Sequence, residues 1–261
     1  MEITWLGTAA FKIVIEDTVI FLDPYLSRNE RARPVVPLKP QDIAAADYIF
    51  LSHGHFDHAC DVPLIASRTG ARVLASSRVC DTLRTAGLPD EQLRPLQGVE
   101  TLGFTHFRVR TIPAAHIKPD WPFIWKAVWR MGWRGLRALP LHLSHPAGDV
   151  MAYLFTVGEH SFAFFGSAGY ERAHIEGLRP DLALVPTEGH TDIHRIVAEM
   201  VALLAPRWVI PHHHDDFYPP ISRTVDLAPF VAQVRQLAPQ TQVHIPEAGR
   251  AVRFERGTLE T

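Results

Sequence analysis

The stretch Tyr48-Ile49-Phe50-Leu51 reads as an apolar β-strand, and after Ser52 it runs straight into His53-Gly54-His55-Phe56-Asp57-His58. Three histidines and an aspartate within six positions, at the mouth of such a strand, are dense enough in nitrogen and oxygen ligands to chelate a transition metal. Imidazole and carboxylate are the ligands of catalytic zinc, manganese or iron, whereas thiolates mark structural zinc. This H-x-H-x-D-H run constrains the chain more than any other feature. Loop-borne ligands converge where strands stop, and several further polar residues of this chain sit at strand ends.

Nothing in the 261 residues marks a domain seam: no Gly/Ser linker, low-complexity tract or block of like charge appears, so residues 1–261 read as one compact domain. An apolar content of 47% is enough for a sizeable core. The formal charge of -2 gives no global pull toward nucleic acid or anionic membranes. Cys60 and Cys80 are too few for a disulfide framework, and Met1 leads straight into a strand-like segment. No uninterrupted apolar run reaches spanning length. The expectation is a soluble cytoplasmic protein, with peripheral membrane contact left open and the oligomeric state undetermined.

The first third predicts short strands from Ile3 to Leu6, Phe11 to Ile15 and Val19 to Leu22, and Asp23-Pro24 ends the third. Beyond the histidine run come a helix from Val62 to Arg68, a strand from Arg72 to Ala75, and a capped helix from Ser77 to Ala86 closed by Gly87. Strands follow around Glu100 to Leu102 and Phe107 to Ile112. The second half repeats the plan, with strands from Val150 to Thr156, Ser161 to Phe165, Leu182 to Val185 and Trp208 to Ile210, and a helix from Ile193 to Leu204. Two β-rich halves, each with helices, suggest an α/β architecture of two mixed sheets packed face to face with helices outside.

Four strand ends carry candidate site residues. Asp23 closes Phe21-Leu22, and His116 follows Thr111-Ile112-Pro113-Ala114-Ala115, whose small residues let a backbone approach a site closely. Gly166-Ser167-Ala168-Gly169 follows Phe164-Phe165, and His213 is the centre of a triple histidine after Val209-Ile210-Pro211. Together with Trp5-Leu6-Gly7-Thr8, Phe21-Leu22-Asp23-Pro24-Tyr25 and Pro211 to Phe217, these motifs resemble the metallo-β-lactamase-fold superfamily. Within it they are most similar to the L-ascorbate-6-phosphate lactonase-like metal-dependent hydrolases. The resemblance spans nearly the whole chain and implies a four-layer αββα sandwich with a metal site at one edge of the two sheets. It implies a first metal site of His53, His55 and His116, a second of Asp57, His58 and His213, and Asp23 as an acceptor that orients a ligand histidine. The family pattern selects His213 within its triplet. His212 and His214 stay open, because consecutive strand residues face opposite ways.

One position departs from that pattern. The family's bridging aspartate follows a glycine at the end of the second hairpin, and here Gly166 is followed by Ser167. A neutral hydroxyl is a poorer ligand for a divalent cation, and two cations about 3.5–4 Å apart repel more strongly without a shared anion. The site then holds one tight ion rather than two, or another acid enters, or catalysis is lost. Glu188 and His190, after the strand ending at Val185, are candidates to compensate, with a helix-entry loop as the competing reading. Asp215 and Asp216 either support ligands or cap a loop, and the loop cap is the favoured reading. Six metal-ligand positions survive, which favours an active enzyme.

Trp121, Trp125, Trp129 and Trp133 recur every four residues within an aromatic and basic insert at about 118–146, and so share one arc of a helix. Lys126, Arg130, Arg134 and Arg137 fall on the other side. Three readings compete: a helix packed on the body through its tryptophans, a lid in which Trp121, Trp125 and Arg130 contact substrate, and a membrane contact.

The resulting expectation is a metal-dependent hydrolase in which Asp57 and His58 act with an activated water on an ester, lactone or phosphodiester, in a substrate with an apolar portion. The metal is expected to be Zn2+, with Mn2+ or Fe2+ as alternatives, in one or two ions. The partner is a small-molecule or lipid-like substrate. Near-neutral charge with a single short basic face argues against nucleic acid. The rivals are a mononuclear-iron oxidoreductase of the same fold and a non-catalytic ligand-binding member with a degenerate site.

Overall fold

The computed structural model describes residues 1–36, 38–131 and 145–260, with the side chains of Ala127, Arg130 and Met131 outside that description. Trp133, Arg134 and Arg137 of the aromatic and basic pattern lie outside the described residues.

Strands β1 (Glu2–Trp5), β2 (Phe11–Ile15), β3 (Thr18–Leu22), β4 (Tyr48–Phe50), β5 (Arg72–Ser76) and β6 (Leu93–Leu96) come first along the chain. Then follow β7 (Thr101–Gly103), β8 (Arg108–Ala114), β9 (Val150–Val157), β10 (His160–Phe165), β11 (Leu182–Pro186), β12 (Trp208–His212) and β13 (Gln242–Val243), and last β14 (Ala251–Glu255) and β15 (Thr258–Glu260). Among the described residues these form two mixed sheets, in the orders β15-β14-β1-β2-β3-β4-β5-β6 and β13-β12-β11-β10-β9-β8-β7.

Three apolar layers hold four structural layers together. Between the sheets lie Ile3, Phe11, Ile13 and Phe50 from the first, against Tyr153, Phe155, Phe162 and Ile210 from the second. Outside the first sheet, Ile49, Leu51 and Val73 pack on Val62 and Ile65 of the helix Val62–Thr69 and on Val79 and Leu83 of the helix Ser77–Thr85. Outside the second, Ala183, Val185 and Val209 pack on the helices Ile193–Leu204 and Ala228–Leu237. This is the αββα sandwich. Each sheet is covered on both faces, so its central strands read as continuous apolar runs rather than as alternating ones.

Connectivity brings the strand ends together. β3, β4 and β5 run parallel, as do β10, β11 and β12. β8 and β10 both pair antiparallel to β9, so they also point the same way. The C-terminal ends of β3, β4, β8, β10, β11 and β12 therefore open onto a common edge, where α/β folds generally place ligands. Two hydrogen bonds tie the sheets at that edge: the Tyr153 hydroxyl donates to the Leu51 carbonyl at 2.6 Å, and the Met151 N–H to the Ser52 carbonyl at 2.8 Å.

Sequence reading misses β6, the helix Ala228–Leu237, and β13 to β15. β14 alternates exposed and buried residues and runs antiparallel to β1, so its strand character depends on pairing with the start of the chain. The helix contains Phe230 and Val234 as a buried pair four apart, too short an apolar stripe to stand out in a window.

Candidate metal centre

The H-x-H-x-D-H run is not a loop throughout. His53 and His55 lie in an extended segment, and His55 then caps a single helical turn, Phe56–Ala59, whose Ala59 N–H donates to the His55 carbonyl at 2.9 Å. Residues two apart in extended chain share a side, so His53 and His55 project together. The turn sends Asp57 and His58 to a neighbouring point. One short motif thereby feeds two ligand clusters.

His116, from the end of β8, joins His53 and His55, with donor atoms mutually within 4.8 Å. The three rings sit at centroid separations of 4.7 to 5.2 Å, and His53 Nε2 lies 3.2 Å from His55 Nδ1. His213, from the end of β12, joins Asp57 and His58 in the same way. Asp57 Oδ2 is 3.3 Å from His213 Nε2 and 3.7 Å from His58 Nε2. The clusters touch through His53 and His58, whose ring centroids are 4.0 Å apart.

Outer hydrogen bonds fix which nitrogen each ring turns inward. Asp23, fully buried at the end of β3, accepts the His58 Nδ1–H at 2.7 Å, leaving Nε2 for the cluster. It also accepts the Ser52 N–H at 2.7 Å and the Ser52 hydroxyl, whose oxygen lies 2.9 Å from His53 Nδ1. With its own proton given to Asp23, Ser52 accepts from His53, and one carboxylate orients a ligand in each cluster. His116 Nδ1 donates to the Ile117 carbonyl at 2.7 Å, and His213 Nδ1 to Glu188 Oε2 at 3.1 Å. Histidines anchored on one nitrogen and converging with the other form the donor pattern of a metal site, so the residues fit a divalent cation.

Glycine and left-handed backbone make the approach feasible. A side chain on Gly166 would collide with the Ser52 hydroxyl and Asp23 carboxylate, so β10 can reach the pair only as glycine there. Asp23 and His213 both hold left-handed φ, 41° and 60°, uncommon for residues with a Cβ and concentrated at functional positions. That turn settles the histidine triplet. His212 points into the core, with Nε2 3.1 Å from the Phe165 carbonyl, and His214 stacks on Trp5 at 4.7 Å. His213 alone of the three reaches the cluster.

The electrostatics follow from burial and neighbours. Burial, then the adjacent His58, His55 and His116 rings, hold His53 far below the usual imidazole range. Burial also lowers His116. For Asp57 burial works upward, but His58 and the His213 hydrogen bond outweigh it and keep the carboxyl below its ordinary value. Burial disfavours a charged His213, yet hydrogen bonds and charge from Asp57 and Glu188 prevail and raise it to about 10. Glu188 is raised by burial.

The remaining candidates take supporting positions or turn away from the clusters. Ser167 lines the cavity, but its hydroxyl accepts the Ile117 N–H at 2.9 Å and so braces the loop that carries His116. Glu188 does not replace the bridging carboxylate; it stands behind His213, on the far nitrogen. His190 turns away, its Nδ1 accepting the Asp192 N–H at 2.9 Å and its Nε2 lying 3.9 Å from Asp120. Trp121 and Trp125 face outward, since their helical arc is opposite Phe123, which lines the cavity instead. The Arg130 side chain is outside the described residues. Ser52 was overlooked, although its place directly before the first ligand histidine was a usable signal. Asp215 is fully buried and braces the site from behind: it accepts the Thr8 N–H at 2.9 Å and pairs with Arg28 at 2.5 Å, and Thr8 in turn holds the His213 N–H.

Residues 2–213 match the family described as "Beta-lactamase superfamily domain". A UPF0173 metal-dependent hydrolase of Anaeromyxobacter dehalogenans is 30% identical over 262 residues, covering 97% of this chain and 86% of its own. Among solved structures, Igni18, a metallo hydrolase from the hyperthermophilic archaeon Ignicoccus hospitalis, aligns at a TM-score of 0.71 and 21% identity, over 97% of this chain and 98% of its own. An isothiocyanate hydrolase from Delia radicum gut bacteria aligns at 0.64 and 14%, over 97% and 99%. The chain belongs to the β-lactamase superfamily and, within it, to the UPF0173 metal-dependent hydrolases. The two solved structures share its fold.

Proposed function

We propose that the protein hydrolyses an ester, lactone or phosphodiester in a small substrate with an apolar portion. The observation that carries this reading is a cavity of about 250 Å3 whose floor is the two ligand clusters and whose walls are apolar. Ile117, Phe123, Phe217, Tyr218 and Ile221 surround His55, Asp57 and His116 there. Such a pocket holds an apolar group beside a polar, reactive centre.

His53, His55 and His116 would hold one divalent cation, and Asp57, His58 and His213 a second. The cation supplies Lewis acidity and brings the pKa of a water toward neutrality. The chain's own residues do the rest. Asp57, on the cavity floor beside His58 and His213, would help hold the cation and orient a water for attack. Glu188 and Asp23 hold His213 and His58 in fixed tautomers, so the floor does not reorganise as charge develops. The apolar wall excludes bulk water.

Zn2+ suits this imidazole-rich set, and the absence of a carboxylate at position 167 favours one tight ion over two. The test is elemental analysis of the purified protein alongside assays on lactones, carboxylic esters and phosphodiesters. Turnover on one of these classes should be lost to a chelator and restored by one metal. Full turnover at complete metal depletion would defeat the mechanism.

A further inference from the structure

We propose that the outer face of the helix Trp121–Met131 docks on an anionic lipid bilayer surface, bringing the mouth of the metal cavity to the membrane. At about 100° per residue, Trp121, Trp125, Val128 and Trp129 fall within one arc. All four are exposed, the three indoles at 80%, 69% and 82%. Folded proteins seldom leave contiguous large apolar side chains in water, and such patches mark contact surfaces. The residue type narrows the partner: an indole is an apolar body with a polar N–H, the side chain enriched at the level of lipid headgroups.

Charge selects the lipid. Lys126 and Arg223 line a surface depression together with Trp125 and Trp129, so cations border the aromatic face. From Trp121 through Gly148 the sequence contains no Asp or Glu, while Lys126, Arg130, Arg134 and Arg137 fall within it. The stretch is therefore cationic in a chain whose formal net charge is -2. Basic residues beside an aromatic face are attracted to anionic leaflets.

Geometry makes the docking peripheral. The eleven-residue helix is roughly 16 Å long, and among the described residues no helix is long and apolar enough to cross a membrane. It lies on the surface, not through it. Its start is fixed to the body: Asp120 accepts the Thr191 N–H at 3.0 Å, in the loop that follows Glu188. Phe123, on the inner side of the same helix, lines the metal cavity. One element thus presents indoles outward and cavity wall inward. That the bilayer delivers an amphiphilic substrate rests on the function proposed above; the docking itself does not.

The experiment is co-sedimentation of the full chain with vesicles of phosphatidylcholine alone or mixed with phosphatidylglycerol, at low and high salt. The chain is expected to sediment with the phosphatidylglycerol vesicles at low salt, with a blue shift in tryptophan emission. Combining Trp125→Ala and Trp129→Ala should weaken binding roughly tenfold or more, and Lys126→Glu with Arg223→Glu should weaken it at low salt. Melting temperature and metal content should be unchanged in both. Failure of the wild type to sediment with anionic vesicles at low salt overturns the proposal, as does undiminished binding by the tryptophan variant. A dimer that this variant converts to monomer, without vesicle binding by the wild type, would reassign the face to self-association. None of these outcomes depends on hydrolysis.

Discussion

The histidine cluster and the tryptophan helix are both dense, regularly spaced runs of unusual side chains, and the fold treats them in opposite ways. Each candidate ligand of the cluster is buried or half-buried, and four of its histidines are hydrogen-bonded on an outer nitrogen, by a carboxylate from a distant part of the chain or by the neighbouring residue. On the helix the indoles share a face through local geometry alone, and that face is left to solvent. Spacing says which side chains travel together. Burial depends on what the rest of the chain brings against them, and six strand ends converge on the first run but not on the outer face of the second.

This contrast can be broken most sharply at its centre. His55→Ala should remove metal-dependent turnover and lower metal affinity by more than the roughly 10–100-fold that loss of an outer partner costs, with circular dichroism and melting temperature nearly unchanged. Retained metal stoichiometry would show that the cluster is not the binding site. Asp215→Ala strands Arg28, 5% exposed at its side chain, without its buried partner. Breaking such a pair costs about 3–5 kcal/mol, to be read as a lower denaturant midpoint.

Smaller effects sharpen the picture. Ser52→Ala leaves His53 Nδ1 without its acceptor and should weaken metal binding roughly 10–100-fold, measured by competition with a chromogenic chelator. An unchanged affinity would mean that Asp23 orients His58 alone. Ser167→Asp places an anion in the cavity lining, at the position where the family pattern has its bridging aspartate, and should tighten a second equivalent of metal roughly tenfold or more, since a shared anion offsets cation repulsion. At the other pole, Trp129→Ala should change folding stability by no more than about 0.5 kcal/mol, as expected of an exposed residue without buried contacts. A loss of several kcal/mol would place the indole in a core.

Much of this site was legible because its chemistry is carried by uncommon residues at strand ends. His53, His55, Asp57 and His58 announce themselves by density, and Asp23, His116 and His213 by position after apolar runs. What could not be read was orientation. Glu188 is a carboxylate near the right strand end, but only coordinates put it on the outer nitrogen of His213 rather than between the clusters. Ser167 lacks a charge, yet its hydroxyl is used in bracing the backbone of Ile117. The aromatic run was correctly periodic, and its exposure was invisible, because periodicity is a property of one helix and burial a property of two surfaces.

Local sequence by itself therefore determined β1 to β5 and β7 to β12, the amphipathic helix Ile193–Leu204, the ligand residue types and the tryptophan arc, all of which follow from backbone geometry and side-chain chemistry over a few residues. Tertiary structure alone decided where His212 and His214 point instead, that Asp23 serves two histidines, and that Phe123 rather than Trp121 meets the cavity. Those choices depend on groups far apart in sequence meeting at one edge, where parallel strands from both sheets end together.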